Sequence, residues 1–172
     1  MINIEPGIVG RFDETDAFLN APAETYFQML NVVHGLNRGH LITPFGQAVE
    51  HLADADSPAG KILYSFLGRV AGDLEAVLGT GCDYADMPVA VHAPNIITTH
   101  EPAQNLHVDF ANSWSKLGIR YLTTNLSPTI IPVLGPVTPG DIVRMPHQKT
   151  LHQQPEIFGY RGYPRVRISL DI

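Results

Sequence analysis

Six side chains in the second half of the chain could do chemistry together. They are His107 and Asp109 in "QNLHVDFANSW", His152 in "GDIVRMPHQKTLHQQP", and Arg165, Arg167 and Ser169 in "RVRISLDI". His107 and Asp109 are two residues apart, so on a strand they share one face. An imidazole and a carboxylate there offer two ligands to one divalent metal. The pair alone is a weak signal, because a His and an Asp on a solvated strand face read the same way. A second imidazole from a distant strand would complete a set that holds one face of a six-coordinate Fe(II) and leaves the opposite face open. His152 lies on such a candidate strand, after the turn "TPGD" and the strand "IVRMP". Its plain alternative is a surface histidine in a polar loop beside Gln153 and Gln154.

The terminal strand adds an anion-binding pattern. Arg165, Arg167 and Ser169 alternate with Val166, Ile168 and Leu170, so one face is apolar and the other carries two guanidiniums and a hydroxyl. An arginine directed into a barrel is costly to desolvate unless an anion meets it. A guanidinium grips a carboxylate with two parallel hydrogen bonds, and Ser169 could add a third. Arg167 is the preferred partner because Ser169 follows at the two-residue spacing, with Arg165 as the alternative. The plain reading is an edge strand with outward arginines.

Taken in order, His-x-Asp, a distant His and Arg-x-Ser on the final strand resemble the Fe(II)- and 2-oxoglutarate-dependent oxygenases, the double-stranded β-helix dioxygenases. The resemblance runs from about Asn95 to Ile172 and includes "THEPAQNLHVDF", "VTPGDIVRMPHQKTLHQ" and "RVRISL". It implies that His107, Asp109 and His152 hold Fe(II). It implies that Arg167 and Ser169 bind the distal carboxylate of 2-oxoglutarate, whose other end chelates the metal. With O2, the cosubstrate would leave as succinate and CO2 while a C–H bond is hydroxylated. Family members that halogenate have Ala or Gly at the carboxylate position, so Asp109 points to hydroxylation or a related desaturation or cyclisation. Two features depart from the pattern: His100 stands where members often carry tyrosine, and "TIIPVLG" replaces a Gly-Gly stretch.

Alternatives stay open within and beyond this reading. His147 could replace His152, and His100 could join His107 and His152 in an all-histidine, cupin-like site. A cupin-like metalloenzyme without 2-oxoglutarate and a metal-free jelly-roll binding module are the rival classes. His92, Asn95, Tyr121 and Thr123 are candidate lining residues. Lys116, Arg120 and Arg144 could meet a substrate carboxylate, though solvated surface charge is their usual reading. His34, His40 and His51 read as surface or lid residues.

These groups need a scaffold. From Met87 onward, short β-branched segments ("PVAVHA", "NIITTH", "NLHVDF", "GIRYLTTNL", "TIIPVL", "DIVRMP", "TLHQQ", "RVRISLDI") alternate with turns. Residues 1–86 read as mostly helical support and lid. Tyr26, Phe27, Leu30, Val33 and Leu36 recur at helical spacing, a short helix covers Phe45 to Ala53, and a longer one follows "DSPAG". In the longer helix Ser57 suits the N-cap, Pro58 the first turn and Gly79 the end. Its stripe of Ile62, Leu63, Phe66, Val70, Leu74, Val77 and Leu78 needs a sheet face to cover it. The expected fold is α+β, mainly β: one domain over 1–172, with a double-stranded β-helix (jelly-roll) core over 87–172 and N-terminal supporting helices.

Bulk properties limit the function classes. The 172 residues are 44% hydrophobic and 16% charged, which is an ordinary globular composition. The formal net charge of −6 and the lack of a Lys/Arg run argue against nucleic acid as a partner. Cys82 is the one cysteine, so no internal disulfide forms. "MINIEPGIVGRFDE" does not read as a signal peptide, and no apolar run reaches bilayer length. The expectation is a soluble cytoplasmic protein acting on a small molecule, an amino acid or natural-product intermediate first and a peptide side chain second. The oligomeric state is left open, a homodimer included.

Overall fold

The computed structural model describes residues 4–11, 24–25, 28, 31–32, 43–54, 56–81, 83–92, 102–109, 118–123, 129–138, 140–156 and 167–171. For Thr43, Ala90, Val91, His92, Arg120, Thr123 and residues 167–171 it describes the backbone alone. The elements in chain order are β1 (Gly7–Arg11), β2 (Thr43–Pro44), α1 (Phe45–Ala53), α2 (Pro58–Leu78), β3 (Pro88–His92), β4 (Gly118–Thr123), β5 (Asp141–Pro146) and β6 (Arg167–Asp171). The result is a mixed α and β structure built on an antiparallel sheet.

The two helices start by different means. Ser57 caps α2: its Oγ accepts from the Gly60 N–H at 3.0 Å, and Pro58 occupies the first turn, where a missing N–H costs nothing. Helix α1 has no side-chain cap. Its first N–H groups instead reach neighbouring backbone, Phe45 to the Met87 carbonyl at 2.9 Å and Gly46 to the Ala85 carbonyl at 2.8 Å. This satisfies donors that every helix start leaves open, and it ties α1 to the entry of β3. Helix α2 ends at Gly79, whose φ of 95° lies in the left-handed region. No helix among the described residues is long and apolar enough to cross a membrane.

The six strands form one sheet in the order β1-β5-β4-β6-β3-β2, and every adjacent pair is antiparallel. Facing residues of an antiparallel pair share a side of the sheet. Ile119, Tyr121 and Ile142 lie on the side that buries Phe45, Leu52, Leu63, Phe66, Val70 and Leu74 of the helices. Each such side chain contributes about 1.5–3 kcal/mol by leaving water, so the helix stripe is what holds this layer. Leu122, Val143 and Met145 point to the other side and pack with Ile131.

A short second layer crosses that other side. His107 pairs with His152 and Ile130 pairs with Gln153 as isolated antiparallel bridges. Three segments, 102–109, 152–154 and 129–131, are thereby laced together by backbone hydrogen bonds of 2.8–3.0 Å. Ile131, next to the bridged Ile130, is 1% exposed and anchors this layer to the sheet.

Several expectations need correction. Among the described residues the sheet is open, with β1 and β2 at its edges, so a closed jelly-roll is not what is observed. The N-terminal half, expected to be mostly helical, also contributes two short strands: Gly7–Arg11 pairs with β5 and Thr43–Pro44 with β3. "NLHVDF" and "TLHQQ" contribute bridges rather than full strands, and "TIIPVL" contributes Ile130 and then a turn. Pro132 lacks the N–H a ladder needs, which accounts for the early end of that segment. The segment "NIITTH" after Pro94 lies outside the described residues, as do Tyr26, Phe27, Leu30, Val33 and Leu36. Their neighbours Glu24, Thr25, Gln28, Asn31 and Val32 are helical. In α2 the apolar stripe also includes Leu67, 1% exposed, which widens the buried face beyond the residues anticipated.

Candidate metal centre

The turn after β5 positions the site. At Pro146 the strand stops, and the N–H groups of Lys149 and Thr150 both return to the Pro146 carbonyl at 3.0 Å. Two carbonyls of this turn then face the second layer. That of His147 accepts the Asp109 N–H at 3.0 Å. That of Thr150 accepts from His152 Nδ1 at 2.9 Å. His107 mirrors this last contact, with Nδ1 at 2.7 Å from the Asn105 carbonyl. A carbonyl can only accept, so each Nδ1 must be the protonated nitrogen. In the neutral form of such a ring Nε2 keeps its lone pair, the tautomer a metal requires of a histidine ligand.

Both Nε2 atoms lie near one carboxylate oxygen. Asp109 Oδ1 lies 3.6 Å from His107 Nε2 and 3.5 Å from His152 Nε2, and the imidazole centroids are 4.6 Å apart. These N···O separations are too long for good hydrogen bonds. Donors about 2.1 Å from one ion stand roughly 3.0–3.4 Å apart, so small side-chain rotations suffice to close on a cation. One ligand atom from each of the three residues lies within 4.8 Å of the others. Among the described residues this is the one such group of three or more His, Cys, Asp or Glu. The donor set, two neutral imidazoles and a carboxylate, fits a divalent first-row metal such as Fe(II) or Zn(II).

Burial is graded across the group. The His152 side chain is 6% exposed, Asp109 23% and His107 37%. The far side is closed by protein, and the side at His107 opens to solvent. The buried polar residues among those described are Thr129, His147, Thr150, His152 and Gln154, and all of them fall in the segments around this group. The helix-facing core is apolar by comparison. Buried polar groups persist only where hydrogen bonds meet them, so this cluster is held by its own polar contacts rather than by apolar packing. Thr129, Thr150 and Gln154 were not anticipated from sequence. Gln154 follows His152 at the strand spacing, which would have placed both on one face.

Other candidates fall elsewhere. His147 does not join the three ligands; its ring sits at the end of β5 and its carbonyl serves Asp109. Tyr121 does not line the site. It is buried on the helix side, where its hydroxyl donates to Asp73 of α2 at 2.7 Å. Burial first, and the Asp73 carboxylate second, push its pKa far above the ordinary tyrosine range. Arg144 faces the same side and is neither solvated nor free for a substrate. Its Nη1 donates to both Asp73 oxygens at 2.7 Å, and its Nε and Nη2 donate to the Glu5 carbonyl at 3.2 and 3.0 Å. His51 is exposed on α1, as a surface residue should be.

The residues expected from sequence to bind an anion are described only in part. Backbone pairing sets Arg167 opposite His92 on one side and Leu122 on the other, and Ser169 opposite Ala90 and Arg120. Positions 167 and 169 thus share the parity of Leu122, on the side of the sheet away from the helices. The side chains of Arg167, Ser169, Arg120, His92 and Thr123 lie outside the described portion. Arg165, His100, Asn95, Lys116, His34 and His40 lie outside the described residues altogether. A scan against protein-family models finds no match to this chain, and no curated protein matches it in sequence.

Proposed function

We propose that this protein is a non-haem Fe(II)- and 2-oxoglutarate-dependent dioxygenase that hydroxylates an unactivated C–H bond of a small molecule. The observation that carries the reading is the convergence of His107, Asp109 and His152, with ligand atoms all within 4.8 Å, from segments distant in sequence. The fold reading that goes with it is a double-stranded β-helix. The six-stranded sheet is one layer, and the bridged segments around His107, Ile130 and His152 belong to the other.

Each residue has a part. His107 and His152 give Nε2 to the metal, and the Asn105 and Thr150 carbonyls keep those rings in the ligating tautomer and orientation. Asp109 supplies the single carboxylate, so two imidazoles and one anion leave a dication with net positive charge that attracts a 2-oxoacid. Iron held by these three residues would supply, with 2-oxoglutarate and O2, the oxidising power for C–H hydroxylation. The near-complete burial of His152 keeps water from the closed side, and the exposure at His107 leaves the approach for cosubstrate and substrate. Arg167 and Ser169, on the parity of the sheet that faces away from the helices, bind the distal carboxylate of 2-oxoglutarate. The substrate is an amino acid or natural-product intermediate, and the chain acts in the cytoplasm.

The test is succinate formation from 2-oxoglutarate by the Fe(II)-loaded protein under air, followed across a panel of small amino and hydroxy acids. Succinate above the metal-free control, raised further by one substrate, supports the reading. Metal binding without any 2-oxoglutarate turnover or binding favours the cupin-like alternative. Failure to bind any divalent metal favours a metal-free binding module.

A further inference from the structure

Asp109 is held by a device that begins at Gly118. Gly118 opens β4 and is followed by Ile119, which pairs with Pro146 at the end of β5. One residue further, the His147 N–H donates to the Gly118 carbonyl at 3.2 Å, so the pairing of these strands continues to position 147. The His147 ring then lies over Gly118. A Cβ built at 118 would land in that ring, with Nε2 at 2.6 Å and Nδ1 at 2.8 Å. Gly118 has no positive φ. Glycine is therefore needed there for space, not for an unusual backbone conformation.

What His147 does next concerns the metal ligands. Its carbonyl is the acceptor for the Asp109 N–H, whereas the N–H of His107 is taken by the His152 carbonyl, both at 3.0 Å. The two histidines are thus referenced to each other, and the carboxylate between them is referenced to the turn at His147. A side chain at 118 would push the His147 ring, and the carbonyl two bonds from its Cα would move with it. Asp109 Oδ1 would then leave its near-equal distances of 3.6 and 3.5 Å from the imidazoles.

We propose that Gly118 is a positioning residue for the metal centre: its empty side-chain space seats His147, and the His147 backbone carbonyl sets the Asp109 carboxylate between the two histidines. The inference rests on the metal reading above. It assigns the working contact to the backbone of residue 147, not to its imidazole.

The test uses Co(II), whose visible absorption reports ligand geometry, added anaerobically to the full chain with thermal melting in parallel. Gly118→Ala is expected to weaken Co(II) binding about tenfold to hundredfold, the range for loss of an outer-shell partner, and to alter the absorption spectrum. His147→Ala keeps the carbonyl and is expected to lose less Co(II) affinity than Gly118→Ala. The double variant Gly118→Ala/His147→Ala has room for the methyl group and is expected to return to the His147→Ala affinity and spectrum. Wild-type affinity in Gly118→Ala, no recovery in the double variant, or a loss in His147→Ala as large as that in Gly118→Ala would overturn the proposal. If Gly118→Ala fails to fold, the His147→Ala and double variants still decide it. A wild-type chain that takes up no Co(II) contradicts the metal reading itself, an outcome distinct from wild-type binding with the wrong order among variants.

Discussion

His107 and His152 face each other as one antiparallel backbone pair, and each imidazole is oriented by a carbonyl two residues before it. That double symmetry brings both Nε2 atoms within 3.6 Å of Asp109 Oδ1. His107→Ala, Asp109→Ala and His152→Ala should each weaken divalent metal binding by more than about a hundredfold, measured by calorimetric titration. Metal at a hundred times its dissociation constant should stabilise the wild-type fold by about 2.7 kcal/mol in a urea titration. The three variants should lose that increment.

The opposite side of the sheet carries an independent network. Asp73 on α2 joins Tyr121 on β4 and Arg144 on β5, with the Arg144 and Asp73 side chains 14% and 11% exposed. Removing the carboxylate leaves a guanidinium and a phenol without their shared acceptor. Asp73→Ala should cost about 2–3 kcal/mol of folding stability. Its Co(II) affinity should stay at the wild-type value, because distant sites on opposite sides of a sheet add independently. A large loss of affinity would mean that the two sides are coupled.

Tyr121 sets an alkaline limit. Its pKa is raised in the folded chain, so the native state keeps the phenolic proton at pH values where the unfolded chain releases it. Release in the unfolded chain starts near pH 10. The unfolded state then binds fewer protons than the native state, and stability falls as pH rises. Chemical denaturation at pH 8 to 11 should show a decline above about pH 10. Tyr121→Phe should remove this residue's share of the decline and lower stability by about 1 kcal/mol at neutral pH.

Local signals made much of this molecule legible in the sequence. Ser57, Pro58 and Gly79 act within a few residues, so the bounds of α2 follow from propensity and capping alone. The spacing of His107 and Asp109 and the type of His152 were enough to suggest a shared ligand set. What stayed hidden depends on pairing between distant segments. β1 shows no alternation to read: Gly7 and Gly10 interrupt it, with an irregularity between Ile8 and Gly10, and its partner lies far along the chain in β5. Arg144 and Tyr121 looked like site or surface residues because their fate depends on Asp73, on another element. The carbonyl of His147 could not be read either, since any residue type offers one.

Variants at Arg167 and Ser169 test the proposed cosubstrate binding separately from metal binding. Arg167→Ala should raise the dissociation constant of 2-oxoglutarate by about tenfold or more, since a bidentate charge-assisted pair is lost. Fe(II) affinity measured without 2-oxoglutarate should be unchanged. Ser169→Ala should show the same pattern at about threefold to tenfold, the loss of one hydrogen bond. A variant that lost both ligands equally would place Arg167 in the fold rather than in the cosubstrate site.

The most direct test of the central claim is an anaerobic titration of the purified chain with Fe(II), with and without 2-oxoglutarate, followed by visible absorption. The account predicts one Fe(II) per chain and a metal-to-ligand charge-transfer band that appears only when both are present and is absent in His152→Ala. Absence of the band with both added, or an unchanged band in His152→Ala, would contradict it.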